Sequence, residues 1–432
     1  MSAPGKSFLL DDAITYKDKG VSYPPIPDEA TAGMELLNAT HADVDGDGRP
    51  ELIVIGRVGP MGAAILRVNI LTFVNSQWVK IGTFDCNSAG DHNEYETATV
   101  SAGDVDGDGR EEIIVAGELF PDSWVRVYED PIQGGGFGKI AHESTFRRPN
   151  AGRAIAAQLD DDGETELVIY TRPHQGTPAA YVFDDAQHGY APLLSIQLFS
   201  ANDISVELVA LNRDGDAREE IAVVRQVNSE SLIVQIYDDA IAGFPLIQSY
   251  DSTDSGNWSN PTYLRPVQAG DIDGDGVDEL VVSVGRKSGS TYTIDLRVYW
   301  GNGTLTTTAT PISTTKVLKS WDLALADRNS DGKMEIVTCC VVSAPGNTEM
   351  FTNVQEFNTD SPTKLQTSFT AGPFALAAPT TVVLAGDDFD MDGARIRWKG
   401  VKFLRLPDPT LMVVLAAPPP RKASARTTTP RR

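Results

Sequence analysis

The stretch "DVDGDGRPELIVIG" at residues 43–56 returns as "DVDGDGREEIIVAG" from Asp104 and as "DIDGDGVDELVVSVG" from Asp271. Three near-copies in one chain mean a repeat, and a repeat sets the architecture before any single element is weighed. Aligning on this stretch gives seven copies, starting at Asp43, Asp104, Gln158, Asn212, Asp271, Asp327 and Asp388, 54–61 residues apart. Units of this length fill the chain from about residue 30 to about residue 417.

The pattern inside each unit is that of strands. A short branched run follows each of the first six copies: "ELIVIG", "EIIVAG", "ELVIY", "EIAVV", "ELVVSV" and "EIVT". Runs rich in small residues, such as "TATVSAG", "AIAAQ" and "LALA", precede them. Branched residues bounded by Gly and Asp turns read as strands. A third run then ends in an aromatic, Phe73, Tyr128, Phe183, Tyr237, Tyr299 or Phe357, followed mostly by an acidic or Asn-containing turn. A row of aromatics at a fixed place in a repeat reads as packing between sheets. A returning strand such as "WVKIGTFDC" completes about four strands per unit.

Four-stranded units repeated around an axis make a β-propeller, in which neighbouring blades cover each other's faces and closure protects the edges. The expectation is therefore an all-β, seven-bladed β-propeller with four-stranded blades. Ala98, Ala102, Ala156, Ala157, Ala269, Ala324, Ala326 and Ala385 precede the copies, where inner strands crowd the axis. The seventh unit is short of a strand. Residues 1–30, with "KSFLLDDAITY", are expected to supply it and latch the ring; 31–417 form the propeller and 418–432 a disordered basic tail.

The repeated turn has the form D-x-D-x-D-G-x-x-E. It gathers the side chains of positions 1, 3, 5 and 9 and the carbonyl of position 7 on one centre, and Gly at position 6 permits the tight turn. Hard oxygens in that number suit calcium, which takes about 6–8. An EF-hand would need its acid at position 12 and flanking helices; here the acid is at position 9 and strands flank it. The ligand carboxylates of the seven copies number 24, equal in size to the net charge of −24.

The copies differ in completeness. Asp43, Asp45, Asp47, Arg49 and Glu51 make a full set, as do Asp104, Asp106, Asp108, Arg110 and Glu112, and Asp271, Asp273, Asp275, Val277 and Glu279. The sixth, Asp327, Asn329, Asp331, Lys333 and Glu335, keeps its oxygens with one charge fewer. In the third, Gln158 stands first, with Asp160, Asp162, Glu164 and Glu166; in the fourth, Asn212, Asp214, Asp216, Arg218 and Glu220 surround Ala217 in place of glycine. The seventh has Asp388, Asp390 and Asp392 but Ile396 where the acid belongs, and is expected to be empty. Three to six calcium ions follow.

These loops, their "AGD" lead-ins at 102–104, 269–271 and 385–387, and their spacing resemble FG-GAP (VCBS-type) repeats. Such repeats form the seven-bladed propeller of integrin α-subunit heads and of certain fungal lectins. The "FG" half of the pattern is missing apart from "GFG" at 136–138. The resemblance implies a calcium loop joining the first two strands of each blade. It implies no particular function, because ligand sites lie on variable loops.

The acidic balance, 60 acids against 36 bases, argues against nucleic acid, which needs a basic surface. No apolar run approaches the roughly 18–20 residues of a membrane span. The first residues lack the apolar stretch of a signal peptide. Cys86, Cys339 and Cys340 read as small core residues rather than a disulfide framework. His41, His92, His142, His174 and His188 are scattered, and no nucleophile elbow, phosphate loop or zinc signature is present.

The reading is a non-catalytic, monomeric recognition module for a glycan or a protein. Trp124, Trp258, Trp300 and Trp321, and the polar loop "DSTDSGNWSNPTY", are candidate contacts, although each tryptophan by itself reads more readily as half-buried packing. The alternatives are a carbohydrate-active enzyme of lyase type, and the recognition part of a toxin or surface assembly. Sites with Kd of about 10⁻⁴–10⁻³ M are typical of extracellular modules, which points to an extracellular location. The sequons at Asn38, Asn257 and Asn302 add nothing without a secretory signal.

Overall fold

A computed structural model describes most of residues 34–415. Outside the described residues lie 1–33, 387–400 and 416–432, together with shorter stretches that include 87–94, 130–136, 172–178, 198–204, 254–266, 302–308 and 327–331. The expected N-terminal latch, the basic tail, Trp258, His92 and His174 all fall there.

The chain is built of strands in sequence order. The first sheet holds β1 (Met34–Ala42), β2 (Glu51–Val58), β3 (Ile65–Val74) and β4 (Gln77–Asp85). The second holds β5 (Tyr95–Gly103), β6 (Glu112–Leu119), β7 (Asp122–Tyr128) and β8 (Ile140–Arg147). The third holds β9 (Arg153–Ala157), β10 (Glu166–Thr171), β11 (Ala179–Phe183) and β12 (Pro192–Gln197). The fourth holds β13 (Ser205–Leu211), β14 (Glu220–Gln226), β15 (Ser231–Tyr237) and β16 (Leu246–Thr253). The fifth holds β17 (Val267–Gly270), β18 (Glu279–Ser288), β19 (Thr291–Tyr299) and β20 (Ala309–Thr314). The sixth holds β21 (Val317–Ala326), β22 (Glu335–Ala344), β23 (Asn347–Phe357) and β24 (Leu365–Leu376). Each is an antiparallel meander in which every strand pairs with the next.

The first strands pack on one another in the order β1, β5, β9, β13, β17, β21, which makes a propeller-like arrangement. The C-terminal sheet differs from the expectation of a seventh four-stranded blade. It has three described strands, β25 (Thr381–Gly386), β26 (Val401–Arg405) and β27 (Thr410–Leu415), in the order β25-β27-β26. Its β25 runs parallel to β27 and packs against both β21 and β1.

The second strand of each sheet explains the stability of the stack. β2, β10 and β14 are buried along nearly their whole length, because neighbouring sheets cover both faces. A strand sends successive side chains to opposite faces, and β6 uses this rule on two partners. Its Ile113 and Val115 join Ile53 and Ile55 of β2, while its Ile114 and Ala116 join Leu167 and Ile169 of β10. In the same way Val168 and Tyr170 face Ile221 and Val223, and Ala222 and Val224 face Leu280 and Val282. Each buried Val, Ile or Leu contributes roughly 1.5–3 kcal/mol, so a continuous apolar run is required where a strand has no wet face.

The aromatics that close the third strands take the packing role expected of them. Tyr128 lies 4.5 Å from the ring of Phe84, Tyr299 lies 4.8 Å from Tyr250, and Phe357 lies 5.6 Å from Trp300. Three candidate recognition tryptophans belong to the core instead of the surface. Trp124, Trp300 and Trp321 are 4%, 1% and 9% exposed. Trp124 and Trp321 lie so close over Gly117 and Gly285 that a Cβ there would meet the indole at under 3 Å. Cys86, Cys339 and Cys340 are buried and unbridged, as the sequence indicates.

Candidate metal loops

Five of the seven acidic loops lie largely among the described residues, and each of these joins the first two strands of its sheet. The local fold is the same each time, because the side chains serve as acceptors for the turn's own backbone. Asp43 accepts from the N–H groups of Gly46 and Gly48, both at 2.8 Å. Asp104 does so for Gly107 and Gly109 at 2.8 and 2.9 Å, and Asp271 for Gly274 and Gly276 at 2.6 and 2.9 Å. The position-5 carboxylate accepts from the position-7 N–H in every one: Asp47 from Arg49, Asp108 from Arg110, Asp162 from Glu164, Asp216 from Arg218 and Asp275 from Val277, at 2.8–3.1 Å. Asp45, Asp106, Asp160 and Asp214 at position 3 accept from position 5.

The backbone favours glycine at position 6 in the loops that carry one, where Gly48, Gly109, Gly163, Gly276 and Gly332 all have positive φ. Gly109 has a φ of +85°, in the left-handed region, and nothing lies within 4 Å of where a Cβ would stand. Gly109→Ala therefore isolates backbone strain from clash. It is expected to cost about 1–2 kcal/mol, read from urea unfolding; an unchanged midpoint would show that the turn tolerates a side chain.

The ninth position closes each loop. Glu51, Glu112, Glu166, Glu220 and Glu279 are all essentially buried at the first residue of a second strand. One carboxylate oxygen accepts the N–H of position 2: from Val44 at 3.2 Å, Val105 at 3.0 Å, Leu159 at 2.6 Å and Ile272 at 3.0 Å, and from Arg213. The second oxygen of Glu112, Glu166 and Glu220 is buried without a hydrogen-bond partner. That of Glu51 is in the same position, with Thr72 near enough to ease the charge, whereas in Glu279 it faces the N–H of Gly301 at 3.3 Å.

Burial first, and then the neighbouring aspartates, push Glu51, Glu112 and Glu166 up to about 8 and Glu220 and Glu279 up to about 7. A buried polar atom without a partner costs about 1–3 kcal/mol, and more when charged. The unpartnered oxygens could therefore take a cation. Carboxylate oxygens of Asp43, Asp45 and Glu51 lie within 4.8 Å of one another, as do those of Asp104, Asp106 and Asp108. In three loops a nearby guanidinium already supplies positive charge: Arg110 pairs with Asp108, Arg218 with Asp216 and, at 4.0 Å, Arg49 with Asp47.

The remaining candidates fall as follows. Asp327, Asn329 and Asp331 of the sixth loop lie outside the described residues. Its Glu335 is buried at the start of β22, and its Lys333 ammonium sits 4.8 Å over the Phe357 ring. Asp388, Asp390, Asp392 and Ile396 of the seventh loop are also outside. His41 is a residue of β1.

Two features were not read from the sequence. The loops are linked to each other. The position-8 N–H of one loop donates to the position-1 carbonyl of the loop before it: Glu111 to Asp43, Thr165 to Asp104, Glu219 to Gln158, Asp278 to Asn212 and Met334 to Asp271, at 2.6–3.0 Å. Where position 8 is acidic, its carboxylate also accepts the position-1 N–H, as Glu111, Glu219 and Asp278 do for Asp43, Gln158 and Asn212. Pro50 holds this position in the first loop and has no N–H to give.

The second feature is the turn between β11 and β12. It brings Asp184, Asp185 and His188 beside Asp162 of the third loop. His188 bonds Asp185 through Nδ1 at 2.7 Å, and this bond raises its pKa. The equivalent turn between β15 and β16 brings Asp238 beside Asp214 and Glu220. The signal was the acidic turn after the aromatic, "YVFDDAQHG" and "QIYDDAIAG", in which only the aromatic had been given a role.

Comparison with known proteins supports the repeat. A model of the FG-GAP-like repeat matches residues 43–115 and 271–338, so the chain carries FG-GAP-like repeats in its first, second, fifth and sixth units. No curated protein matches the sequence. Among solved structures, the Rhamnogalacturonan Lyase PL11 of Bacillus licheniformis is similar at 12% identity and a TM-score of 0.39, over 90% of each chain. The protein AofleA from Arthrobotrys oligospora is similar at 11% identity and a TM-score of 0.46, over 80% of this chain and 90% of that one. The Dos1 propeller is similar at 9% identity and a TM-score of 0.44, over 82% of this chain and 72% of that one. At such identities nothing about the activity of this chain follows from them.

Proposed function

We propose that the chain is a calcium-stabilised, seven-bladed propeller that serves as a non-catalytic recognition module for a glycan or a protein. The observation that carries the calcium part is the buried position-9 glutamate, whose second oxygen has no partner in loop after loop. The donors are carboxylates and carbonyls, the hard oxygens that calcium prefers. Asp43, Asp45, Asp47, the carbonyl of Arg49 and Glu51 would hold the first ion, and the matching residues would hold the others.

The recognition part rests on the rigidity of such a ring, on which variable loops carry binding. The burial of Trp124, Trp300 and Trp321 takes three flat platforms away from a sugar. Exposed apolar side chains lie instead on outer strands: Leu193 and Leu194 on β12, Leu246 and Ile247 on β16. This favours a protein partner over a glycan. Sites as weak as about 10⁻⁴–10⁻³ M fill in calcium-rich surroundings, so we place the module outside the cell.

A glycan array and a panel of extracellular proteins, each probed with calcium and with chelator, test the reading. Calcium-dependent binding without product is expected. Turnover of a bound glycan would replace the module by an enzyme. Calcium binding tighter than micromolar would remove the motive for an extracellular location.

A further inference from the structure

The third and fourth loops are the ones in which the first ligand position has lost its carboxylate, to Gln158 and Asn212. The Gln158 amide donates to the Asp160 carbonyl at 2.9 Å, and the Asn212 amide donates to the carbonyl of Asp216. Neither side chain can carry the charge that Asp43, Asp104 and Asp271 bring to the complete loops.

A replacement stands at a fixed distance in each. Asp184 and Asp238 both lie 26 residues after the first loop position, directly after the aromatics Phe183 and Tyr237. One carboxylate oxygen of Asp184 lies within 4.8 Å of those of Asp160, Asp162 and Glu166, and one of Asp238 lies equally close to those of Asp214 and Glu220. Glu166 and Glu220 are fully buried members of these groups, and each keeps one oxygen without a partner.

The two turns that carry these aspartates match at their described ends. Asp184 N–H donates to Ala191 at 2.8 Å and Asp238 N–H to Pro245 at 3.0 Å. Tyr190 and Phe244, six residues after each aspartate, both take a left-handed backbone, φ +54° and +53°, with their rings buried in the core. The carboxylates are thus held by anchored turns. Where the loop is already complete, the residue in this place is Val74 in the first sheet and Trp300 in the fifth, which offer no carboxylate. In the second sheet it is Glu129, which is ion-paired to Lys139.

We infer that Asp184 and Asp238 are cation ligands of the third and fourth loops, supplying from the turn after the third strand the carboxylate that the first loop position lacks. The inference rests on the calcium reading above and deepens it. Both loops then reach four carboxylates, the number in the complete copies, and both bind calcium as well as their neighbours do. A site would in this way be assembled from two segments of one blade, so that the ion ties the third-to-fourth strand turn to the loop between the first and second strands.

Calorimetric titration of the full chain with calcium tests this through the number and affinity of ions. Outer partners of metal ligands already carry about 10–100-fold in affinity, so losing a direct carboxylate is expected to weaken one site by about tenfold or more. Asp184→Asn and Asp238→Asn should each do so, and the double variant should take up two ions fewer at a concentration that fills the other sites. Glu129→Gln should change nothing. Gln158→Asp added to Asp184→Asn should restore the lost ion, and this rescue also answers any fault in folding.

If the double variant takes up as many ions as the parent while Asp43→Asn loses one, the inference fails and the calcium reading stands. If the parent takes up no calcium, both fall together.

Discussion

Chelation is expected to lower the melting temperature of this chain by about 10 °C or more. Each loop gathers three or four carboxylates, and its ninth-position glutamate is buried with an oxygen that the protein itself does not satisfy in most of the described copies. A ligand that binds only the native state stabilises it by about 2.7 kcal/mol per site at a hundredfold excess over Kd. Three complete loops alone would then contribute roughly 8 kcal/mol. For a large domain this corresponds to a shift on the order of 10 °C. The links between loops, from Glu111 to Asp43 and onward to Met334 and Asp271, spread the effect over successive sheets. Calorimetric scans in about 10 mM calcium and in excess chelator decide the matter. Magnesium at the same concentration should do less, because it demands near-octahedral geometry and gives up water reluctantly. Identical melting in calcium and in chelator would end the calcium reading.

The repeat carried most of the fold into view before any coordinates. Branched runs such as "ELIVIG" became second strands buried on both faces, and Tyr128, Tyr237 and Tyr299 at the ends of third strands became core, because packing between like units imposes one pattern on every unit. The shape of the loop was legible for a related reason: a turn whose own backbone is capped by side chains at positions 1, 3, 5 and 9 favours carboxylates there. What was not legible depends on contact between distant segments. Asp184 and Asp238 meet their loops only because the third strand returns the chain to the loop end of the blade. The tryptophans stood open between packing and recognition for the opposite reason. Nothing local distinguishes a Trp that binds a sugar from Trp124 or Trp321, whose places are set by Gly117 and Gly285 on neighbouring strands. The C-terminal sheet, with its parallel β25–β27 pair, breaks the meander that the other six sheets keep.

Arg213→Ala is expected to destabilise the protein by roughly 3–5 kcal/mol, the largest effect of any single substitution considered. The second position of the loop is Val44, Val105, Leu159 or Ile272 in the first, second, third and fifth copies, each fully buried. In the fourth it is Arg213, only 5% exposed. Its guanidinium reaches into the next sheet, donating to the carbonyls of Tyr299 at 2.9 Å, Asp278 at 3.2 Å and Trp300, and to the side-chain oxygen of Gln248 at 2.9 Å. One residue thus fastens the fourth loop to the end of β19. Hydrogen bonds to a charged group contribute about 1.5–3 kcal/mol each, and part of that gain offsets the cost of burying the charge. Truncation removes the donors and leaves a cavity. Arg213→Leu supplies the apolar character found in the first, second, third and fifth loops and fills the space, but not the donors, so its loss should be smaller than that of Arg213→Ala. Both variants keep the backbone N–H that Glu220 accepts, so the acidic loop itself is left intact. Urea unfolding in excess chelator separates this effect from any change in metal binding. An Arg213→Ala protein within about 1 kcal/mol of the parent would mean that the guanidinium is held by these carbonyls without holding the two sheets together.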